Sequence, residues 1–90
     1  MDFEWDENKN KINKAKHGIS FETAARVFLD ENRIEIFDAR NSKENEDRFI
    51  TIGKAGKILF VVFTEREDRT RIISARLAEK KEKEAYYGNC

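Results

Sequence analysis

Residues 48–76, RFITIGKAGKILFVVFTEREDRTRIISAR, decide the fold. From Arg48 to Gly53, Ile50 and Ile52 fall on one side of an extended chain, because successive side chains of a strand point to opposite faces. Ile58 to Phe63 is apolar without interruption, which predicts a central strand covered on both faces. Arg69 to Ala75 reads as the last strand. The connections Lys54 to Lys57, which holds Gly56, and Glu65 to Asp68 are short enough to close hairpins. A further strand, Arg33 to Asp38, contains Ile34 and Ile36 and precedes the acid-rich loop Ala39 to Asp47.

Working outward, Phe3 and Trp5 alternate with acids and predict a short opening strand, with Asp6 placed to cap a helix that runs to about His17 and stops at Gly18. Ser20 is the next N-cap. Behind it, Phe21, Ala24, Ala25 and Phe28 recur at the spacing of one buried helical face, and that helix ends near Leu29. Leu77 to Tyr87 closes the chain as a helix, with Glu79 and Lys83, and Lys80 and Glu84, four apart. The order β-α-α-β-β-β-β-α predicts an α+β fold. It has an antiparallel four- to five-stranded sheet, two N-terminal helices and a C-terminal helix, with the helices mainly on one face of a single domain spanning 1–90.

A chain of 90 residues without proline has room for one core. Charged residues make up 40% of it, but seven Phe and the β-branched strands supply the apolar surface that disorder lacks. The acidic start MDFEWDENKN is unlike a signal peptide, and Ile58 to Phe63 is too short to span a bilayer. The lone cysteine, Cys90, leaves no internal disulfide to form, so a cytoplasmic protein is expected. One His and one Cys make no zinc site, and the acids lack the spacing of a calcium loop, so neither metal nor cofactor is expected. Phosphate-loop and nucleophile-elbow motifs are also missing, which sets aside nucleotide-binding and acyl-transfer enzymes.

Net charge is zero, but it is unevenly distributed. Residues 9–17 carry Lys9, Lys11, Lys14 and Lys16 and no acid, residues 18–47 carry eight acids against four bases, and residues 48–90 carry ten bases against six acids. A fold that set residues 9–17 beside the strands would build a basic surface suited to a phosphate backbone. Lys9, Asn13 and Lys16 form a stripe beside Ile12 and Ala15 on the first helix. Thr64 and Arg66 share a face with Phe60 and Val62, and Ser74 and Arg76 share one with Ile72. His17 reads as a helix C-terminal cation favoured by the dipole, Glu46 as a partner for a neighbouring base, and Tyr86 and Tyr87 as packing for the last helix.

Several segments together resemble the BrnT family. They are Phe3-Glu4-Trp5-Asp6, Lys9-Asn10, Lys16-His17-Gly18, Ser20-Phe21-Glu22, Phe28-Leu29-Asp30, Arg48-Phe49-Ile50, Phe63-Thr64-Glu65-Arg66 and Arg71-Ile72-Ile73-Ser74-Ala75-Arg76. The resemblance implies the toxin of a bacterial type II toxin–antitoxin pair, with a RelE-like fold and metal-independent RNA cleavage that arrests translation. It also implies a BrnA-like ribbon-helix-helix antitoxin, a 2:2 assembly and operator contact through that partner alone. Joined to the basic residues, it makes Lys9, Arg48, Arg66 and Arg76 the catalytic candidates, with Arg66 and Arg76 as the phosphate clamp. Lys16, Thr64, Arg71 and Ser74 become substrate-binding candidates. A binding module without catalysis, for RNA or for an acidic protein, and a docking subunit remain open as alternatives.

Overall fold

In the computed structural model, which describes residues 1–89, the chain runs β1 (Asp2–Glu4), α1 (Glu7–His17), α2 (Phe21–Ala25), a 3₁₀ turn (Arg26–Leu29), β2 (Ile34–Phe37), β3 (Arg48–Ala55), β4 (Lys57–Arg66), β5 (Arg69–Leu77) and α3 (Lys80–Asn89). Cys90 lies outside the described residues. One five-stranded sheet has the order β1-β5-β4-β3-β2, which puts the apolar β4 at its centre. The turn between β3 and β4 is tighter than the sequence suggests. Ala55 and Lys57 are register partners, so Gly56 alone makes the turn, at φ 79°, where a side chain is strained.

Two expectations need correction. The opening strand ends at Glu4 and runs parallel to β5, so the sheet is mixed rather than wholly antiparallel. That pairing sets Phe3 opposite Thr70 and Glu4 opposite Arg71. Phe3 thereby meets Phe28 under the helices, while Glu4 finds a cation on the other side. The helices are also divided between the faces. The α2 segment and the 3₁₀ turn cover one face through Phe21, Ala24 and Val27, packed on Leu59, Val61, Ile72 and Ala75. α3 lies on the opposite face, where Ala78 and Tyr86 pack with Ile52 and Ile58. It begins at Lys80 because β5 continues to Leu77 and the Ala78 N–H then donates to the Ile58 carbonyl.

The helix ends follow from their caps. The Asp6 carboxylate accepts from the N–H groups of Asn8 and Lys9, the Ser20 hydroxyl accepts from that of Thr23, and the Glu82 carboxylate reaches back to that of Glu79. Glu79 and Glu82 both turn toward Arg76, in place of the expected Glu79–Lys83 contact.

α1 docks in an unexpected way. Its Ile12 is 64% exposed, whereas Asn10 and Asn13 are buried. The Asn13 amide donates to the carbonyls of Ile19 and Ala75, at 2.9 and 2.8 Å, and accepts from the Ala75 N–H at 3.2 Å. Asn10 accepts from the Phe21 N–H and donates to Glu7 and Glu22. The helix is thus tied to the free edge of β5 and to the start of α2 by hydrogen bonds.

Under the 3₁₀ turn the backbone comes close to the sheet. A Cβ at Gly53 would lie 2.7 Å from Val27 Cγ1 and 2.9 Å from Arg33 Cβ. Gly53→Ala is therefore expected to cost about 1–3 kcal/mol through overpacking, read as a lower urea midpoint at unchanged slope. An unchanged midpoint would show that the 3₁₀ turn yields freely.

Candidate functional site

The face of the sheet that α3 shares is only partly covered. Strand alternation and register place Arg48, Thr64 and Arg71 in one row across β3, β4 and β5 of this face, with Arg66 and Arg69 in the row beyond. Toward α3 come Ser74 with Val62 and Ile50, and then Arg76 with Phe60 and Ile52. The hydroxyl and guanidinium groups singled out on the strands therefore share one face. α1 runs along the β5 edge of that face and brings Lys9 and Lys16 beside Ser74, in a cleft of about 220 Å³.

Arg66 and Arg76 nevertheless lie far apart. Arg76 is level with Phe60, and the six residues from there to Arg66 span about 20 Å of strand. Thr64 is buried and donates to the Asp47 carbonyl at 2.7 Å, so its hydroxyl is committed to holding the loop before β3.

Carboxylates occupy the arginines. Glu46 accepts from Arg48 Nε at 3.4 Å and from Arg66 Nη2 at 3.3 Å. Glu4 accepts from Arg71 at 2.9 Å and lies 3.6 Å from Arg69. Arg76 makes a two-pronged contact with Glu82, both distances 2.8 Å, while its guanidinium carbon sits 3.9 Å above the Phe60 ring. The pairing of Glu46 with a neighbouring base was readable in the sequence; the roles of Glu4, Arg69 and Glu82 were not, because their partners are distant along the chain or on another element. Among the described residues, no group of three His, Cys, Asp or Glu side chains is arranged to hold a metal ion. Among the same residues, no helix is long and apolar enough to cross a membrane.

These pairs shift the titration of the carboxylates. The hydrogen bond from Arg66, then that from Arg48, holds Glu46 below its ordinary value against the opposing effect of burial. Arg71 does the same for Glu4, and Arg76 for Glu82. At Asp30 burial pushes upward, but the Tyr86 hydroxyl and the N–H groups of Asn32 and Lys54 outweigh it, and the net direction is again down. A carboxylate with a depressed folded-state pKa stabilises the fold above its unfolded value, and that contribution disappears as pH falls through the folded one. Stability is therefore expected to drop on acidification below the ordinary carboxylate range. α3 should loosen first, since Glu82 and Asp30 both fasten it. Near-ultraviolet circular dichroism of Tyr86 and Tyr87 should change before the far-ultraviolet signal; simultaneous loss of both would contradict that order.

Comparison with known proteins follows the same line. A family model described as ribonuclease toxin, BrnT, of type II toxin-antitoxin system matches residues 5–82. The structure is similar to the crystal structure of the Brucella abortus ribonuclease toxin, BrnT, with 28% sequence identity and a TM-score of 0.64, covering 89% of this chain and 99% of that one. No curated protein matches.

Proposed function

The chain belongs to the BrnT family of ribonuclease toxins of type II toxin–antitoxin systems, and from that premise we propose that it is a metal-independent endoribonuclease that arrests translation in the cytoplasm. A BrnA-like ribbon-helix-helix antitoxin neutralises it in a 2:2 assembly and carries the operator contact by which the pair represses its own operon. One observation carries the reading. Cations from α1, β3, β4 and β5, remote in sequence, line one open sheet face and its edge.

In this mechanism a ribose 2′-oxygen attacks the adjacent phosphorus, and fixed donors stabilise the charge that develops on the phosphorane. The planar fork of arginine suits two phosphate oxygens at once. Arg48 and Arg66 already share the two oxygens of Glu46, so an incoming phosphate replaces that carboxylate with an anion of similar spread. The 20 Å or so between Arg66 and Arg76 means that they hold different phosphates of one strand rather than gripping a single one. Arg71 supports Arg48 from the same row, and Lys9, Lys16 and Ser74 extend the track to the β5 edge.

The test is purified protein with RNA in EDTA. New ends carrying a 2′,3′-cyclic phosphate support the enzyme. Binding without cleavage would leave a binding module, and neither would leave a subunit that only docks its partner.

A further inference from the structure

The cleft at the β5 edge differs from the rest of the open face. Lys9, Lys16 and His17 line it without any acid among the lining residues, and Ser74 completes the wall. Every ion pair among the described residues uses an arginine, so Lys9 and Lys16 are not neutralised by a carboxylate as Arg48, Arg66, Arg71 and Arg76 are. The remaining lining is Asn13, whose amide is bonded to the Ile19 and Ala75 backbone, and the apolar Ile73 and exposed Ile12. A cationic rim above an apolar wall matches a ribose-phosphate unit, whose sugar and base need contact and whose phosphate needs charge.

The local backbone is built toward this cleft. Register across β4 and β5 slips between Val62 and Phe63, because Val62 pairs with Ser74 and Phe63 with Ile72. Ile73 is therefore the extra residue of a β-bulge, a device that re-aims side chains at a strand edge. It delivers Ile73 and Ser74 to the cleft together. On the opposite wall, the Asn13 bonds to Ala75 fix α1 along β5, which sets where Lys9, Lys16 and His17 stand.

Resting on the ribonuclease reading above, we propose that this cleft holds the scissile phosphodiester and that His17 is its proton donor. The P–O2′ bond forms and the P–O5′ bond breaks. The departing 5′-oxygen takes the His17 proton, and the 2′-hydroxyl proton leaves to water. Imidazole is the side chain that gives and regains a proton most readily near neutral pH. Lys9 and Lys16 supply charge to the phosphorane, and the Ser74 hydroxyl donates to a phosphate oxygen.

Two substrates of the wild-type protein and of His17→Ala test this. One is an RNA dinucleotide, whose 5′-alkoxide leaves poorly without a proton; the other is uridine 3′-(4-nitrophenyl) phosphate, whose nitrophenolate leaves without one. The variant is expected to lose about 100-fold or more on the dinucleotide, the scale of general acid catalysis, but no more than roughly threefold on the nitrophenyl ester. An equal loss on both substrates, or a loss on neither, overturns the role of His17 and leaves the ribonuclease reading intact. Wild-type protein inert toward both overturns the ribonuclease reading itself. Because His17 is the only histidine, its ring-proton resonances can be followed as uridine 3′-monophosphate is added. They should shift in the wild type and not in a Lys9→Ala/Lys16→Ala variant. An identical shift in both would remove the cleft as the phosphate site.

Discussion

Arg66→Ala is expected to lower the rate of RNA cleavage by about 100-fold while leaving the melting temperature within about 2 °C of wild type. The two halves of this expectation have separate causes. The Arg66 side chain is 53% exposed, and its contact with Glu46 is a surface ion pair, a class that contributes between nothing and about 1 kcal/mol. Its loss as a contact to a flanking phosphate is far more costly, because it loosens the hold on the RNA strand, and a misplacement of about 1 Å at the reacting centre can cost about 100-fold. Arg66→Lys should recover a small part of the rate, since an ammonium retains the charge without the fork. Wild-type cleavage by Arg66→Ala would take the outer row of the face out of the mechanism. Parallel melting curves are needed to interpret a loss.

Asn13→Ala is expected to have the largest effect on stability, a loss of about 2–4 kcal/mol. The substitution removes three hydrogen bonds at once and leaves the N–H and C=O of Ala75 and the C=O of Ile19 without their partner in a buried position. Against the roughly 5–15 kcal/mol that hold a domain together, that is a large share, equivalent to a fall of about 10–20 °C in melting temperature. Asn13→Asp should be nearly as harmful, because a carboxylate accepts from the Ala75 N–H but cannot donate to either carbonyl. Urea unfolding measures both variants, and a change under about 0.5 kcal/mol would mean that α1 stays docked by other means.

Asn13 also shows why the sequence yielded some features and hid others. β3, β4 and β5 were legible because alternation, an apolar central run and two short connections all point to the same hairpins. α1 was legible as a helix, from Asp6 and Gly18, but not in its orientation. Apolar periodicity assigns Ile12 to the core side, and the helix instead docks through asparagines that bond to backbone groups, a mode that hydropathy does not register. The parallel partner of β1 lies at Arg69 to Arg71, too far along the chain for any local signal. The position of α3 depends on the single buried Tyr86 in an otherwise charged segment, so its face could not be chosen.

The proposed site divides in the same way. Alternation put Arg66 with Thr64, and Arg76 with Ser74, but the Glu4 and Glu82 partners required the fold. His17 was legible as a helix-terminal cation. Its companionship with Ser74 depends on a bulge at Ile73 that leaves no trace in composition or spacing.

The pairing of β1 with β5 has a consequence for how the molecule comes into being. Phe3 emerges from a ribosome well before its neighbour Thr70, which follows only after the intervening helices and strands have been made. Closing so long a loop early is entropically unfavourable, so the outermost strand waits for the last one. Until residue 77 clears the exit tunnel, neither the β5 edge nor the lysines that flank it can be in place, so the cleft is assembled only after β5 has been made.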